Sequence, residues 1–257
     1  MKGRNIVSLF ALILLLASCR ANGDADASVA GRGTGSIVTA VQSGSEDVRF
    51  TTTDGIVIAG TLYEAGSNAP AVLCLHQWRS DRNSFATLAK KLQLKGFTVL
   101  AIDMRGYGGS TKTSDGRSIR PDRKAGADIE AALKFLRGRG TVDGSRIGII
   151  GASYGSSNAV IHAAGDKTIR ALVLLSPGLN YFNELPTEAP VAQYRGRPMF
   201  VAASSEDLRS VETVEAYREI NPGIEFQMYD DAGHGTDILD ADVGLDRAIL
   251  NFLEKNL

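Results

Sequence analysis

The sequence predicts an α/β fold: a mostly parallel central sheet of about eight strands, with helices on both faces. Three observations carry this. Ala71–Leu75, Thr98–Ile102, Ile147–Ile150 and Ala171–Leu175 are short, almost continuously apolar runs, and strands of that kind are buried on both faces. Between them lie segments whose apolar residues recur at helical spacing. The two kinds alternate along the chain, as repeated strand–helix–strand units do.

The chain starts with a segment of another kind. Lys2 and Arg4 precede an almost unbroken apolar run from Ile6 to Ala17. Such a run is too short to span a bilayer and fits the core of a signal peptide. It ends in Leu16-Ala17-Ser18-Cys19, which resembles the lipobox of bacterial lipoproteins. That resemblance implies cleavage after residue 18 and a diacylglycerol on Cys19, whose two acyl chains suffice for stable anchoring. A plain secretory signal with an incidental cysteine is the alternative. Arg20 stands where, in enteric lipoproteins, an Asp favours retention at the inner membrane. The expected location is therefore the bacterial cell envelope, lipid-anchored at the outer membrane. Residues 19–45 are rich in Gly, Ala and Ser without a lasting period, and as a flexible tether they would reach about 25–30 Å. The expected organisation is a signal over 1–18, a lipidated tether over 19–45 and one α/β domain over 46–257.

From about Asp47 the pattern is regular. Val48–Thr52 and Ile56–Tyr63 read as strands joined at Asp54-Gly55, forming an antiparallel edge. Ala71–Leu75 is the next strand. Ser84–Leu94 has helical spacing at Phe85, Leu88, Ala89 and Leu92, and Gly96 marks its end. Thr98–Ile102 is a strand, and Ala125–Leu136 a helix with Ile129, Leu133 and Leu136 on one face. Ile147–Ile150 leads into a helical stretch after Ser153. Then follow strands at Ala171–Leu175, Met199–Ala203 and Glu225–Tyr229, with helices near Val211–Ile220 and Leu245–Leu253. The segment between Leu175 and Met199 is too short for a large cap domain, although Tyr181, Phe182 and Leu185 can form a small apolar flap.

Composition narrows the function classes. Net charge is −1 with both signs mixed along the chain, so there is no basic stripe for nucleic acid. If Cys19 carries lipid, Cys74 is the one remaining thiol, which excludes an intrachain disulfide. Cys74 lies in an apolar strand and reads as buried and inert. Gly31-Arg32-Gly33-Thr34-Gly35 follows no strand, so no nucleotide loop is expected, and no cofactor or metal is implied.

The chemistry concentrates at the ends of strands, where ligands bind in sheets of this type. Gly151-Ala152-Ser153-Tyr154-Gly155 follows a buried strand and opens a helix. A Gly-x-Ser-x-Gly turn in that position pushes the serine hydroxyl out on a tight bend. A serine nucleophile needs a base, and the chain has three histidines. His76 ends a strand before the serine and reads as a structural hydrogen-bonder. His162 lies within the following helix. His234, in the loop after the final strand, is placed to reach Ser153. Asp207 follows the strand Met199–Ala203 and can orient His234, with Glu206 beside it as the competing acid; Asp230 and Asp231 sit too close to His234 along the chain. The order Ser, Asp, His is the one used by α/β-hydrolases.

At these residues the domain resembles the α/β-hydrolase family, serine-dependent and nearest the compact dienelactone-hydrolase-like branch. Leu73-Cys74-Leu75-His76-Gln77-Trp78 looks like its oxyanion loop, and Asp103-Met104-Arg105-Gly106-Tyr107-Gly108-Gly109-Ser110 like its Asp-x-Arg-Gly-x-Gly-x-Ser segment. The resemblance implies Ser153, Asp207 and His234 as a catalytic triad and the backbone N–H groups of Trp78 and Tyr154 as oxyanion donors. Gln77 stands where the family usually has glycine, and its side-chain amide is a further candidate donor. The ring of Trp78 either lines or covers the pocket. The branch's type member uses cysteine where this chain has Ser153, so its substrate does not carry over. The implied activity is that of a carboxylesterase-like serine hydrolase acting on small esters or thioesters at a fairly open site. A serine peptidase or amidase of the prolyl-oligopeptidase-like type is the alternative enzyme, and a non-catalytic envelope lipoprotein that uses the fold for binding is the alternative class.

Overall fold

The structure, a computed structural model, describes residues 44–241 and 243–257. The expected signal, Cys19 and the tether up to residue 43 lie outside the described residues.

The described chain opens with strands β1 (Glu46–Thr51), β2 (Ile56–Tyr63) and β3 (Ala69–Leu75), helix α1 (Ala86–Leu94), β4 (Thr98–Ile102), β5 (Lys112–Thr113) and α2 (Gly126–Arg137). The central unit is β6 (Val142–Ala152), α3 (Tyr154–Gly165) and β7 (Ile169–Leu175). A short hairpin of β8 (Asn180–Tyr181) and β9 (Leu185–Pro186) follows, then α4 (Glu188–Tyr194). The chain closes with β10 (Met199–Ser204), α5 (Leu208–Ile220), β11 (Glu225–Tyr229), the single turn α6 (Asp237–Asp240) and α7 (Leu245–Asn256).

The main sheet runs β1-β2-β4-β3-β6-β7-β10-β11, with β5 paired to β2. β1, β2 and β4 pair antiparallel, and all pairs from β4 to β11 are parallel. This is the expected mostly parallel sheet of about eight strands with an antiparallel edge. Strand side chains alternate between faces, so β3 sends Leu73 and Leu75 into one apolar core and Val72 and Cys74 into the other. The first core is closed by α2, α3 and α5, through residues such as Ile129, Leu133, Val160 and Val214. The second is closed by α1 and α7, through Leu88, Leu92, Ile249 and Phe252. Cys74 is fully buried in that second core, where desolvation pushes its thiol far above the ordinary range.

Local signals account for the ends of elements. α1 begins on a 3₁₀ turn over Arg82–Phe85, capped by Asp81 accepting from Asn83 N–H. It ends with Phe97 N–H bonded to Leu92 O and Gly96 N–H to Gln93 O, the paired bonds that close a helix through a C-terminal glycine. The β1–β2 turn is tied by Thr52 Oγ1 donating to Asp54 Oδ1 at 2.5 Å. Elements absent from the expectation are short: β5, the β8–β9 hairpin, α4 and α6 each have seven residues or fewer, and periodicity over so few residues carries no signal.

The Asp103–Ser110 segment is structural, and its charges pair with other elements. Asp103 accepts from Arg82 N–H at 2.8 Å and Gly109 N–H at 2.7 Å, and pairs with the Arg82 guanidinium. Arg105 is held by Asp128 of α2, through Nε at 2.9 Å and Nη2 at 2.7 Å, and by Asp54 of the β1–β2 turn at 2.8 Å. Asp128 is fully buried and Arg105 nearly so. Removing one partner of a buried pair leaves the other charge uncompensated. Asp128→Asn is therefore expected to cost about 3 kcal/mol of stability, read as a lower urea midpoint at unchanged slope; an unmoved midpoint would show that Asp54 alone suffices for Arg105.

Candidate active site

The site starts from the end of β6. Ser153 takes φ 51° and ψ −114° between β6 and α3, a left-handed conformation that is costly for a residue with a Cβ. Backbone bonds hold it there: Ser153 N–H donates to Leu175 O at 2.7 Å, and Ser153 O accepts from Ser156 N–H at 2.9 Å. The flanking glycines are sterically required. A Cβ on Gly155 would lie 2.2 Å from Leu75 O, and one on Gly151 would lie 2.5 Å from Gly155 O. The bend therefore packs α3 directly onto the end of β3 and leaves Oγ facing away from the sheet.

Ser153 Oγ lies 2.7 Å from His234 Nε2, and His234 Nδ1 lies 2.6 Å from Asp207 Oδ2. The structure thus brings together the three residues proposed from sequence. Asp207 also caps α5, accepting from Ser210 N–H at 3.4 Å. Burial pulls its carboxyl pKa upward, but the bonds from Ser210 and His234 outweigh this and set it below the ordinary value. A carboxylate on Nδ1 selects the tautomer whose Nε2 is free to accept a proton.

The neighbouring acid has a different task. Glu206 Oε1 accepts from Gly233 N–H at 2.7 Å, within a set of bonds that grip the loop around His234. Ser204 Oγ accepts from Ala232 N–H, Ser176 Oγ from Gly235 N–H and Gln77 Oε1 from Thr236 N–H, each at 2.8 Å. Four amides flanking the histidine are thereby satisfied by side chains from the ends of β10, β7 and β3. Sequence reading identified the loop but not these anchors, because each is a common residue whose partner is distant in sequence.

Gln77, whose side-chain amide is the further oxyanion donor expected, uses the oxygen of that amide to hold the loop around His234. Its carboxamide oxygen is committed to Thr236, with Thr236 Oγ1 also donating at 3.2 Å. Tyr154 is the first residue of α3, so its N–H has no intrahelical acceptor. The Trp78 ring packs edge-on against Tyr107 and Tyr154, at 5.4 and 5.2 Å between centroids, and tilts against Phe182 at 4.7 Å. It is a covering residue that joins the loop after β3 to the β8–β9 hairpin. His76 is fully buried: Nε2 accepts from Met104 N–H at 3.1 Å and Nδ1 lies 2.7 Å from Gln77 O. His162 of α3 faces Asp166, just past the helix end, at 3.8 Å.

Ser153 is only 5% exposed, and the hairpin lies over it. Tyr181 places its hydroxyl 3.1 Å from Ser153 Oγ and 3.2 Å from Ser176 O. Phe182 packs on Trp78 and beneath Arg123, whose guanidinium is 4.9 Å from the ring centroid and pairs with Glu184. A groove of about 870 Å³ between α2, α3 and the hairpin contains none of Ser153, Asp207 and His234; the triad geometry, rather than this groove, marks the site.

Residues 70–195 match the family described as alpha/beta hydrolase fold. The chain has the α/β-hydrolase fold. The thiohydrolase aneE of Aspergillus aculeatus is 28% identical over 167 residues, covering 64% of this chain and 52% of that protein. The chain spans about half the length of the curated relatives it matches. Among solved structures, the esterase Pf2001 of Pyrococcus furiosus superposes with a TM-score of 0.65 at 24% identity, over 83% of this chain and 93% of that one. The dienelactone hydrolase of Anabaena variabilis superposes with a TM-score of 0.65 at 18% identity, over 83% of this chain and 99% of that one. At these identities the two superpositions speak for the fold alone. Relative to the glycine usual in hydrolase oxyanion loops, Gln77 acts as an anchor for the base loop. Gln77→Gly is expected to leave Thr236 N–H without its acceptor and to speed its hydrogen exchange about tenfold, measured by NMR or mass spectrometry; unchanged exchange would show that the other anchors suffice.

Proposed function

We propose that the domain is a serine hydrolase that cleaves small carboxylic esters or thioesters through an acyl-enzyme on Ser153. The hydrogen-bonded chain Ser153 Oγ–His234 Nε2 and His234 Nδ1–Asp207 carries this reading. Ser153 Oγ attacks the carbonyl carbon while His234 Nε2 takes its proton, and Asp207 stabilises the imidazolium that results. The carbonyl oxygen becomes an oxyanion, with the N–H groups of Tyr154 and Trp78 as its donors; one such donor contributes about 3–4 kcal/mol to transition-state stabilisation. Collapse of the tetrahedral intermediate expels an alcohol or thiol, which receives the proton from His234. Water then attacks the acyl carbon with His234 again as base, and Oγ recovers its proton as the acid departs.

Tyr181 and Phe182 close over Ser153 and favour a small acyl group, and the relative named thiohydrolase supports thioester chemistry. We further propose anchorage by a lipid on Cys19 in the bacterial envelope, on the strength of the Leu-Ala-Ser-Cys sequence.

A fluorophosphonate probe tests the activity without a guess at substrate. The domain is expected to label at Ser153, and Ser153→Ala to lose labelling and about a thousandfold or more in ester turnover. A folded domain that takes no label would replace this reading with a binding role, and peptide turnover equal to that of matched esters would favour an amidase. For the anchor, the full-length protein is expected to take radioactive palmitate and Cys19→Ser to abolish that labelling; a wild-type protein that takes no palmitate label would refute it.

A further inference from the structure

We propose that Tyr181 is a catalytic residue of this site, its phenol donating a hydrogen bond to Ser153 Oγ while that oxygen carries negative charge. The proposal rests on the reading of Ser153 as nucleophile and adds a group outside the triad and the oxyanion hole.

The argument is a count of protons. Ser153 Oγ has one hydrogen and two neighbours, His234 Nε2 at 2.7 Å and Tyr181 Oη at 3.1 Å. The imidazole nitrogen is the closer and the more basic, so the serine proton belongs to it. Once that proton is on His234, Tyr181 can bond Oγ only by turning its one proton from Ser176 O to Oγ. Its other acceptor is Ser176 O at 3.2 Å, a longer contact to a neutral carbonyl. Burial raises the Tyr181 phenol above its ordinary value, so the donor proton is in place at neutral pH.

The hairpin is built to hold this ring. Tyr181 pairs with Leu185 across β8 and β9, Asn180 Oδ1 accepts from Leu185 N–H at 2.9 Å, and Leu185 is buried. The ring crosses Gly178 so closely that a Cβ there would lie 2.6 Å from it.

The chemistry gives the bond a use twice in each cycle. In acylation the Oγ–H bond breaks toward His234 as the Oγ–C bond forms, and charge passes through Oγ. In deacylation the Oγ–C bond breaks, its electron pair returns to Oγ, and His234 returns the proton. The phenol keeps its own proton throughout. A hydrogen bond to a charged oxygen is worth about tenfold or more in rate.

The test is Tyr181→Phe, which removes one oxygen and keeps the ring, with Asn183→Gly on the same hairpin as control. Fluorophosphonate labelling rate and p-nitrophenyl acetate kinetics, burst and steady state, are measured for each. Tyr181→Phe is expected to label about tenfold more slowly and to lose about tenfold in both burst rate and kcat, with KM unchanged, while Asn183→Gly keeps wild-type rates. In a second variant carrying 3-fluorotyrosine at position 181, the more acidic phenol should move the alkaline loss of activity to lower pH, which a packing role would not do. Wild-type rates in Tyr181→Phe, or an unmoved alkaline limb with 3-fluorotyrosine, would overturn the proposal and leave the hydrolase reading intact. A wild-type protein that takes no label would overturn both.

Discussion

The site depends on one backbone constraint, the left-handed bend at Ser153 between the central strand and α3. A residue with a side chain held in such a region costs on the order of 1–3 kcal/mol. The bend persists because its neighbours leave no alternative. Ser153 N–H is fixed to β7 through Leu175 O, and its carbonyl already carries the first bonds of α3. Gly155 lies against the last carbonyls of β3, so the helix turns within a single residue. A gentler bend would carry Oγ away from the position where it meets His234.

The proposed base, His234, must then come from a distance. β11 is three strand positions from β6 in the sheet, or roughly 14 Å. The chain covers that distance with an irregular loop, and an irregular loop has no ladder of its own to fix it. Side chains do the fixing. Ser204, Glu206, Ser176 and Gln77 each accept an amide of residues 232–236, so the imidazole is referenced to three different strands. The two adjacent acids divide the work: Asp207 addresses the ring and Glu206 the backbone beside it. Their hydrogen bonds lower both carboxyl groups, with Ser204 the largest influence on Glu206 and burial opposing the effect at Asp207.

This division explains what could be read from sequence. β2, β4 and β11 match their expected bounds residue for residue; β4 is buried on both faces and leaves a continuous apolar run, whereas β11, at the sheet edge, alternates between apolar and polar residues. α1 and α2 bury the very faces expected of them. Ser153, Asp207 and His234 were legible because each follows a strand, and strand ends converge in a parallel sheet. The task of Glu206, the competing acid, was not legible, since its partner Gly233 N–H lies 27 residues away. Gln77 looked like a departure in a donor loop, but its partner is 159 residues away, a separation no local pattern reveals. Tyr181 read as part of an apolar flap because its ring is apolar; the contact that matters is made by its one polar atom.

The three histidines show why geometry, more than residue type, decides which one can act. His76 sits at a strand end near the nucleophile, yet both its nitrogens are engaged by backbone, and burial lowers its pKa. It accepts from Met104 N–H through Nε2, so its proton is on Nδ1, and it has no lone pair left for Ser153. That bond ties the loop after β4 to the loop after β3, as does Arg82 N–H on Asp103. His76 therefore braces the segment bearing Trp78, whose N–H is a proposed oxyanion donor. His162 spends its reach on Asp166 at the end of its own helix. His234 alone has a carboxylate on one nitrogen and the serine hydroxyl on the other. The same side chain thus serves as a brace where backbone takes both nitrogens, and can serve as a base only where one nitrogen is left facing Oγ.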